Sequence, residues 1–583
     1  MKFSRALLVL VGIAIVSAPL GIWWSHSGTA NNPVSGSAEY MVSSAHPEAS
    51  KAGQEMLARG GSAVDAAIAV QLVLTLVEPQ SSGIGGGAYM LHWDEGARLL
   101  ETYDGRETAP AGATPELFLD EAGEPLSFFD AVVAGQSNGV PGAIAMLHLA
   151  HQEHGRLPWA DLFQPAIRLA EEGFLVTPRL NKLIAWSPAL PHLPWSRAYF
   201  FTEDEDGNAV PLAIGTRLKN PAYAKSLRLI AEQGPDVFYK GEIAEAIVAA
   251  SQNAPSRPGT LSMDDMAAYE PVKRAPICLE YRVYTVCGMP PSSSGGLTSL
   301  QILGILESFD MGALKPGSVE AVHLITEASR LAYADRDLYI GDTAFVDVPV
   351  DAMLDQDYLT SRARLIDLSR SLGKADAGTP EAMGDLGSLY APNESRSRPS
   401  TSHFSIVDGH GNAVSMTTSI EAPFGSHLMA AGFFINNQLT DFSFRPIIDG
   451  RPVANAVAPG KRPRSSMTPS MVFDAEGDFH LAIGSPGGSR IIAYVTQTLV
   501  ALLDHHLPMQ AAINQPRHVN RNGPLEIEEG TPVADLKEEL EQLGHDVVVK
   551  EITSGLHGIR RLEGGLEGGA DLRREGVVLG GQL

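Results

Sequence analysis

Cysteine is almost absent: 583 residues hold two, Cys278 and Cys287. Two are too few for a disulfide scaffold or a cysteine-rich zinc site. Both fall in the β-prone stretch 277–287, and one continuous strand would hold them too far apart to bridge. Two separate thiols are therefore expected, unless the chain turns back sharply between them. Basic charge is also scarce. Forty-three Lys and Arg face 68 Asp and Glu, a net charge of −25, and phosphate binding needs a basic surface, so a nucleic-acid partner is excluded. The acidity otherwise reads as solvated surface and says nothing of a substrate. Long apolar runs are missing after residue 24, so no later segment predicts a membrane-spanning helix.

The one such run, Ala6–Trp24, follows Lys2 and Arg5 and precedes the small residues Ser27–Ala30. This order predicts a signal peptide cleaved after Ala30, with an uncleaved anchor as the alternative. Either places the remainder outside the cytoplasm. Fifty-eight glycines and 39 prolines imply many turns and argue against a helical bundle.

Pro47–Arg59 predicts a helix ended by Gly60-Gly61, and Ser62 with Asp65 opens a second, apolar through Val77. The glycine cluster Gly83–Gly87 precedes a strand, Ala88–Trp93, and lacks a Gly-Lys-Ser/Thr ending. A phosphate loop follows a strand and opens a helix, so close backbone packing is the better reading. Residues 371–400 lose periodicity and end in Arg396-Ser397-Arg398-Pro399-Ser400, which predicts an exposed, flexible connector.

A β pattern starts abruptly at Thr401. Thr401–Val407 and Ala413–Ile420 flank Asp408-Gly409-His410-Gly411-Asn412, a hairpin signal. With the turn centred on His410, Thr401 faces Ser419. A threonine hydroxyl is a weak nucleophile until a base takes its proton, and a free amine on the same residue can do so near neutral pH. Cutting the Ser400–Thr401 bond would release that amine. Read locally, the same pattern also fits an ordinary β-branched residue opening a hairpin.

The run Thr401-Ser402-His403-Phe404-Ser405, with Gly411-Asn412-Ala413-Val414 after it, resembles the small-subunit start of the γ-glutamyltransferases, which are N-terminal-nucleophile hydrolases. The likeness extends in order through His46-Pro47, Val64–Ala67, Gly83–Gly87, Arg106–Pro110, Met289–Gly296, Asn436–Gln438, Lys461–Pro463, Ser465–Met467, Gly484–Arg490 and Gly568–Asp571.

The resemblance implies roles. Thr401 is the nucleophile, oriented by Ser419. Arg106 holds the substrate α-carboxylate, as a guanidinium fork suits, with Ser465 and Ser466 bonding the same group. Asp441, Gln438 and Glu421 receive the α-ammonium. Gly487 and Gly488, just before a predicted helix 489–502, form the oxyanion hole. Glu421 stands where many members have asparagine, Ser402 and Ser419 where threonine is common. The stretch from Phe442 to Lys461 looks short for the family's lid-bearing segment.

The expected fold is thus α+β, a four-layer αββα sandwich built jointly by a large part (31–400) and a small part (401–583). The expected activity is self-cleavage at Ser400–Thr401, then transfer of a γ-glutamyl group from glutathione or a related compound to water, an amino acid or a peptide. No metal or organic cofactor is expected, and the processed halves form a heterodimer. The rivals are a glutaryl- or cephalosporin-type acylase, a poly-γ-glutamate-processing enzyme, and an uncut γ-glutamyl-peptide-binding protein.

Overall fold

A computed structural model of the uncut chain describes residues 35–381, 389–393 and 400–582. The expected leader (1–30) and the stretches 382–388 and 394–399 of the expected connector lie outside the described residues.

Two seven-stranded sheets form the centre. Their strands are β1 (Ser35–Gly36), β2 (Tyr40–Ser44), β3 (Gly87–Asp94), β4 (Leu99–Gly105), β5 (Val272–Arg274), β6 (Ile277–Tyr281), β7 (Tyr284–Gly288), β8 (Ser402–Val407), β9 (Ala413–Ser419), β10 (Ser470–Phe473), β11 (Phe479–Gly484), β12 (His557–Leu562), β13 (Gly565–Ala570) and β14 (Val577–Gly581). One sheet runs β14-β2-β8-β9-β3-β4-β5 and carries Thr401 at its edge of regular pairing; the other runs β1-β13-β12-β11-β10-β7-β6. Strands from both sides of residue 400 interleave in each sheet.

Six helices matter for the site: α1 (Pro47–Ala58), α2 (Ala63–Val77), α3 (Ala143–His154), α4 (Gly295–Leu306), α5 (Val319–Tyr339) and α6 (Ile491–Leu503). Ser62 and Asp65 form a reciprocal capping box that starts α2. Every residue of α2 is buried, as expected of a helix apolar on all sides.

Strand alternation divides the core. Met90, Phe404, Ile406, Val414 and Met416 pack against α1 and α2, whereas Met41, Tyr89, Leu91 and Trp93 face the second sheet, whose other side carries α4, α5 and α6. The layers are therefore helix, sheet, sheet, helix, as expected.

Two expectations need correction. Cys278 and Cys287 form a disulfide. The chain does turn back, at Arg282-Val283, so the two cysteines sit directly opposite each other in the β6–β7 hairpin with Cα atoms 4.1 Å apart. The connector is also not loose where it is described. The Ser371 N–H donates to the Leu543 carbonyl at 2.7 Å, Leu372 N–H to Glu327 at 2.8 Å and Gly378 N–H to Asp335 at 2.7 Å. Ser400, at its far end, is 1% exposed. Partners distant in sequence hold these segments down, which composition cannot reveal.

Candidate active site

The β8–β9 register pairs Ser402 with Thr418, so Thr401 lies opposite Ser419. Their hydroxyl oxygens are 3.1 Å apart. The Ser419 hydroxyl also accepts from the Glu421 N–H at 2.9 Å, which fixes its position. Behind it, the backbone is packed too closely for side chains: a Cβ on Gly86 would lie 2.1 Å from the Ser419 carbonyl oxygen. The glycine cluster 83–87 serves this close approach.

The Ser400–Thr401 peptide is gripped on both sides. Thr401 N–H donates to the Ser81 carbonyl at 3.1 Å, and the Thr401 carbonyl accepts from Arg574 at 2.9 Å. The Ser400 carbonyl accepts from the Gly487 N–H at 3.1 Å, and the Ser400 hydroxyl donates to the Gln80 carbonyl at 3.0 Å. Thr401 has φ of +82°, a sterically costly value for a β-branched residue, on the order of 1–3 kcal/mol. Thr401 is 4% exposed, so an external protease has no ready access to the bond.

One pocket joins the candidate residues. Arg106, Thr401, Ser419, Glu421, Gln438, Asp441, Ser465, Ser466 and Gly488 all line it, together with Met467 and Ile491. Gly487 adjoins it and reaches φ of +140°, followed by Gly488 at +61°; only glycine adopts such a pair readily. These residues open the 3-10 turn that leads into α6, where unpaired N–H groups favour negative charge.

Arg106 follows the end of β4 and is 1% exposed. Its Nη2 donates to Asp441 Oδ2 at 2.5 Å, and its Nε donates to the Pro463 carbonyl at 3.1 Å. Burial works against the charge of Arg106, but the carboxylates of Asp441 and Glu107 outweigh it and raise its pKa. Gln438 and Asp441 share a single 3-10 turn, which sets them on one side; Gln438 Nε2 donates to Asp441 Oδ2 at 2.8 Å. Glu421 accepts from Asn437 Nδ2 at 2.6 Å. At the far wall, the Ser465 carbonyl accepts from both the N–H and the hydroxyl of Ser294 in the 289–296 loop. Arg336 of α5 donates to the Ser466 hydroxyl at 2.9 Å.

The pocket thus sets a cation and an anion side by side at one end and a nucleophile near backbone donors at the other. That pattern fits a zwitterionic amino-acid head joined to an acyl group.

The sequence profile described as Gamma-glutamyltranspeptidase matches residues 49–581. The chain belongs to that family. It is 40% identical over 547 residues to the glutathione hydrolase proenzyme of Escherichia coli, covering 91% of this chain and 90% of that one. It is 37% identical over 564 residues to the acylase ACY 1 proenzyme of Pseudomonas sp. strain SE83, covering 94% and 95%. Among solved structures, cephalosporin acylase from Bacillus halodurans superposes with a TM-score of 0.81 at 28% identity, over 98% of this chain and 100% of that one. The αββα sandwich is of the N-terminal-nucleophile hydrolase type, and the chain is an enzyme of the transferase and hydrolase class.

Some residues around this γ-glutamyltranspeptidase-family pocket escaped the sequence reading. Arg574, Arg336 and the Ser81 carbonyl reach the site from distant segments and carry no local pattern that marks them. Met467 and Ile491 adjoin recognised residues, Ser466 and the glycine pair, and could have been found by extending those motifs.

Proposed function

We propose that this protein is a self-processing γ-glutamyltransferase that cleaves the γ-glutamyl amide of glutathione and related compounds. The observation that carries the reading is the buried scissile peptide itself: Thr401 Oγ lies beside Ser419 Oγ at 3.1 Å while Gly487 N–H meets the Ser400 carbonyl at 3.1 Å.

In the first stage Thr401 Oγ attacks the Ser400 carbonyl carbon and the Gly487 N–H stabilises the oxygen as it turns negative. The C–N bond breaks as the hydroxyl proton passes to the Thr401 nitrogen, giving an ester at Thr401 Oγ and a free Thr401 amine; water then hydrolyses the ester to the Ser400 carboxylate and restores the hydroxyl. The strained φ of Thr401 ceases to exist once its peptide bond is cut, which favours cleavage. The products are a large subunit ending at Ser400 and a small one beginning at Thr401, and they stay together because each contributes strands to both sheets.

In the second stage the Thr401 amine takes the hydroxyl proton. Arg106 with Ser465 and Ser466 holds the donor α-carboxylate, and Asp441 with Gln438 and Glu421 holds its α-ammonium. Thr401 Oγ attacks the γ-carbonyl, with Gly487 and Gly488 as the oxyanion hole, and the leaving amine takes the proton. The γ-glutamyl ester then passes to water or to the amine of an amino acid or peptide. The disulfide agrees with an exported enzyme in the periplasm or outside the cell, since oxidising compartments preserve such bonds. Among the described residues no helix is long and apolar enough to cross a membrane.

An acylase acting on a glutaryl side chain is the rival. Its donor lacks the α-ammonium that Asp441, Gln438 and Glu421 receive in the γ-glutamyl reading, so the acidic side of the pocket would have no group of the substrate to bind.

Intact mass and N-terminal sequencing of the purified protein, beside Thr401→Ala, test the first stage. Two fragments, the smaller starting at Thr401 and absent from the variant, support the reading; one uncut chain in both overturns it. Glutathione against a glutaryl amide as donor then separates the two enzymes.

A further inference from the structure

A second group of reactive side chains lies on the helix-facing side of the catalytic sheet. His92 on β3 and Glu101 on β4 are directly paired in the ladder, so their side chains share one face. His154, the last residue of α3, brings Nε2 to 2.8 Å from Glu101 Oε2. His92 Nδ1 lies 4.0 Å from the same oxygen. One donor atom from each residue falls within 4.8 Å of the others. A tetrahedral ion with bonds near ~2.0–2.1 Å separates its ligands by roughly 3.3 Å, and the distances 2.8 and 4.0 Å bracket that value.

His154 Nε2 is bonded to Glu101 Oε2 and to the Tyr103 hydroxyl, each at 2.8 Å, but one buried atom of the group is left over. His92 is 2% exposed, and its Nδ1 has no hydrogen-bond partner. Glu153 Oε2 is 3.8 Å from His154 Nε2. Tyr103 orients the carboxylates, its hydroxyl lying 2.5 Å from Glu153 Oε2 and 3.3 Å from Glu101 Oε2. Lys273 binds Glu101 Oε1 at 2.5 Å and Glu153 Oε2 at 2.8 Å; the first leaves Glu101 Oε2 to the ion, and the second must be given up if Glu153 is to join it. The cavity beside the group opens past Asp94, Glu95, Glu153 and Arg156, which gives an ion a route in from solvent.

We propose that His92, Glu101 and His154 bind one divalent transition-metal ion of the zinc type, with Glu153 or water completing its coordination. Two imidazoles and a carboxylate suit such an ion; calcium and magnesium take oxygen ligands. The rings of His92 and His154 are stacked, 3.9 Å between centroids and 29° between planes. His154 must therefore turn to share an ion, which its place at a helix end permits. The site lies outside the Thr401 machinery: His92 is five residues along β3 from Gly87, the partner of Ser419, or about 17 Å by strand rise. The ion ties β3, β4 and α3 together and so braces the strand that delivers Arg106. The buried trio His323, Glu327 and His545 is a poorer host, because both ring nitrogens of His323 are already engaged, one by His545 and the other by the Asp367 carbonyl.

The test uses tag-free, full-length protein stripped with a chelator and titrated with ZnCl2 in a calorimeter, with CoCl2 absorption as a second readout of coordination. One equivalent bound, a raised Tm, and binding weakened at least about tenfold in His154→Ala and Glu101→Gln, but not in His323→Ala, is the expected result. Self-cleavage of each variant reports its folding, and the isosteric Glu101→Gln carries the test if His154→Ala fails to fold. No stoichiometric uptake, or uptake unchanged in Glu101→Gln, overturns the proposal.

Discussion

The backbone N–H of Gly487 points at the carbonyl oxygen of Ser400, 3.1 Å away. The residue that serves as an oxyanion donor for a bound acyl group in the proposed mechanism already holds the chain's own acyl group in the uncut protein. In that mechanism the scissile peptide occupies the place of a substrate, and maturation and turnover draw on one set of donors. Gly487→Ala should damage both. Its φ of +140° is strained for any side chain, and the new Cβ would meet the Tyr494 ring at 2.6 Å. Alanine keeps the N–H but moves it off the carbonyl oxygen; loss of one such donor is worth about 10²–10³ in rate, so a time course of fragment appearance should slow by up to that order, and the fraction that matures should turn over as poorly.

Ser419 has two bonds to lose, to Thr401 Oγ and to the Glu421 N–H. Ser419→Ala should slow self-cleavage by about one order of magnitude or more, in line with losing roughly 1–2 kcal/mol of hydrogen bonding. Ser419→Thr keeps the oxygen and should mature at close to the original rate. Equal rates for all three proteins, followed on gels, would remove Ser419 from the mechanism.

Asp441 separates binding from maturation. Its carboxylate is bonded to Arg106 and Gln438, on the side of the pocket away from the Ser400–Thr401 peptide. Asp441→Asn should therefore still be cut, but the KM for a γ-glutamyl donor should rise about 10- to 100-fold, the worth of a charge-assisted hydrogen bond of ~1.5–3 kcal/mol. A KM left unchanged in steady-state assays would place the α-ammonium elsewhere.

The disulfide closes a short loop, with a sequence separation of 9. Cross-linking of this size stabilises by about 2–3 kcal/mol through the unfolded chain. Cys278→Ser with Cys287→Ser should lower the urea midpoint accordingly, and reductant should lower the midpoint of the parent but not of the double variant.

How much could be read in advance depended on how local each determinant is. The hairpin register that sets Thr401 opposite Ser419, the capping box of α2 and the glycine pair before α6 are fixed within a few residues, and each was legible. The disulfide was misjudged for a two-residue reason: Arg282 at φ of +57° begins a tight turn that nothing in the β-prone stretch announces. The grip of Arg574 on Thr401 and of Arg336 on Ser466 joins segments more than a hundred residues apart, and no periodicity encodes such a meeting. The whole family resemblance, spread over many short motifs, carried what local reasoning could not.

Glu107 links stability to pH. It is fully buried beside Arg106, at 3.7 Å, and neither carboxyl oxygen has a hydrogen-bond partner. Burial raises its pKa from 4.5 to about 8, against the pull of Arg106, whose charge is already engaged by Asp441 at 2.5 Å. Between these two pH values the native protein keeps the proton and the unfolded chain has lost it. Native Glu107 then binds more protons, so its contribution is fully present below the lower value and is lost as pH rises through the upper, by at most about 1.4 kcal/mol per pH unit. Glu107→Gln has no proton to lose. Its Tm should exceed that of the parent by a margin that widens from about pH 5 to about pH 8 and then levels, a comparison in which groups common to both proteins cancel. A margin that narrows over this range would mean that Glu107 is ionised at neutral pH and that Arg106 is shared between two carboxylates.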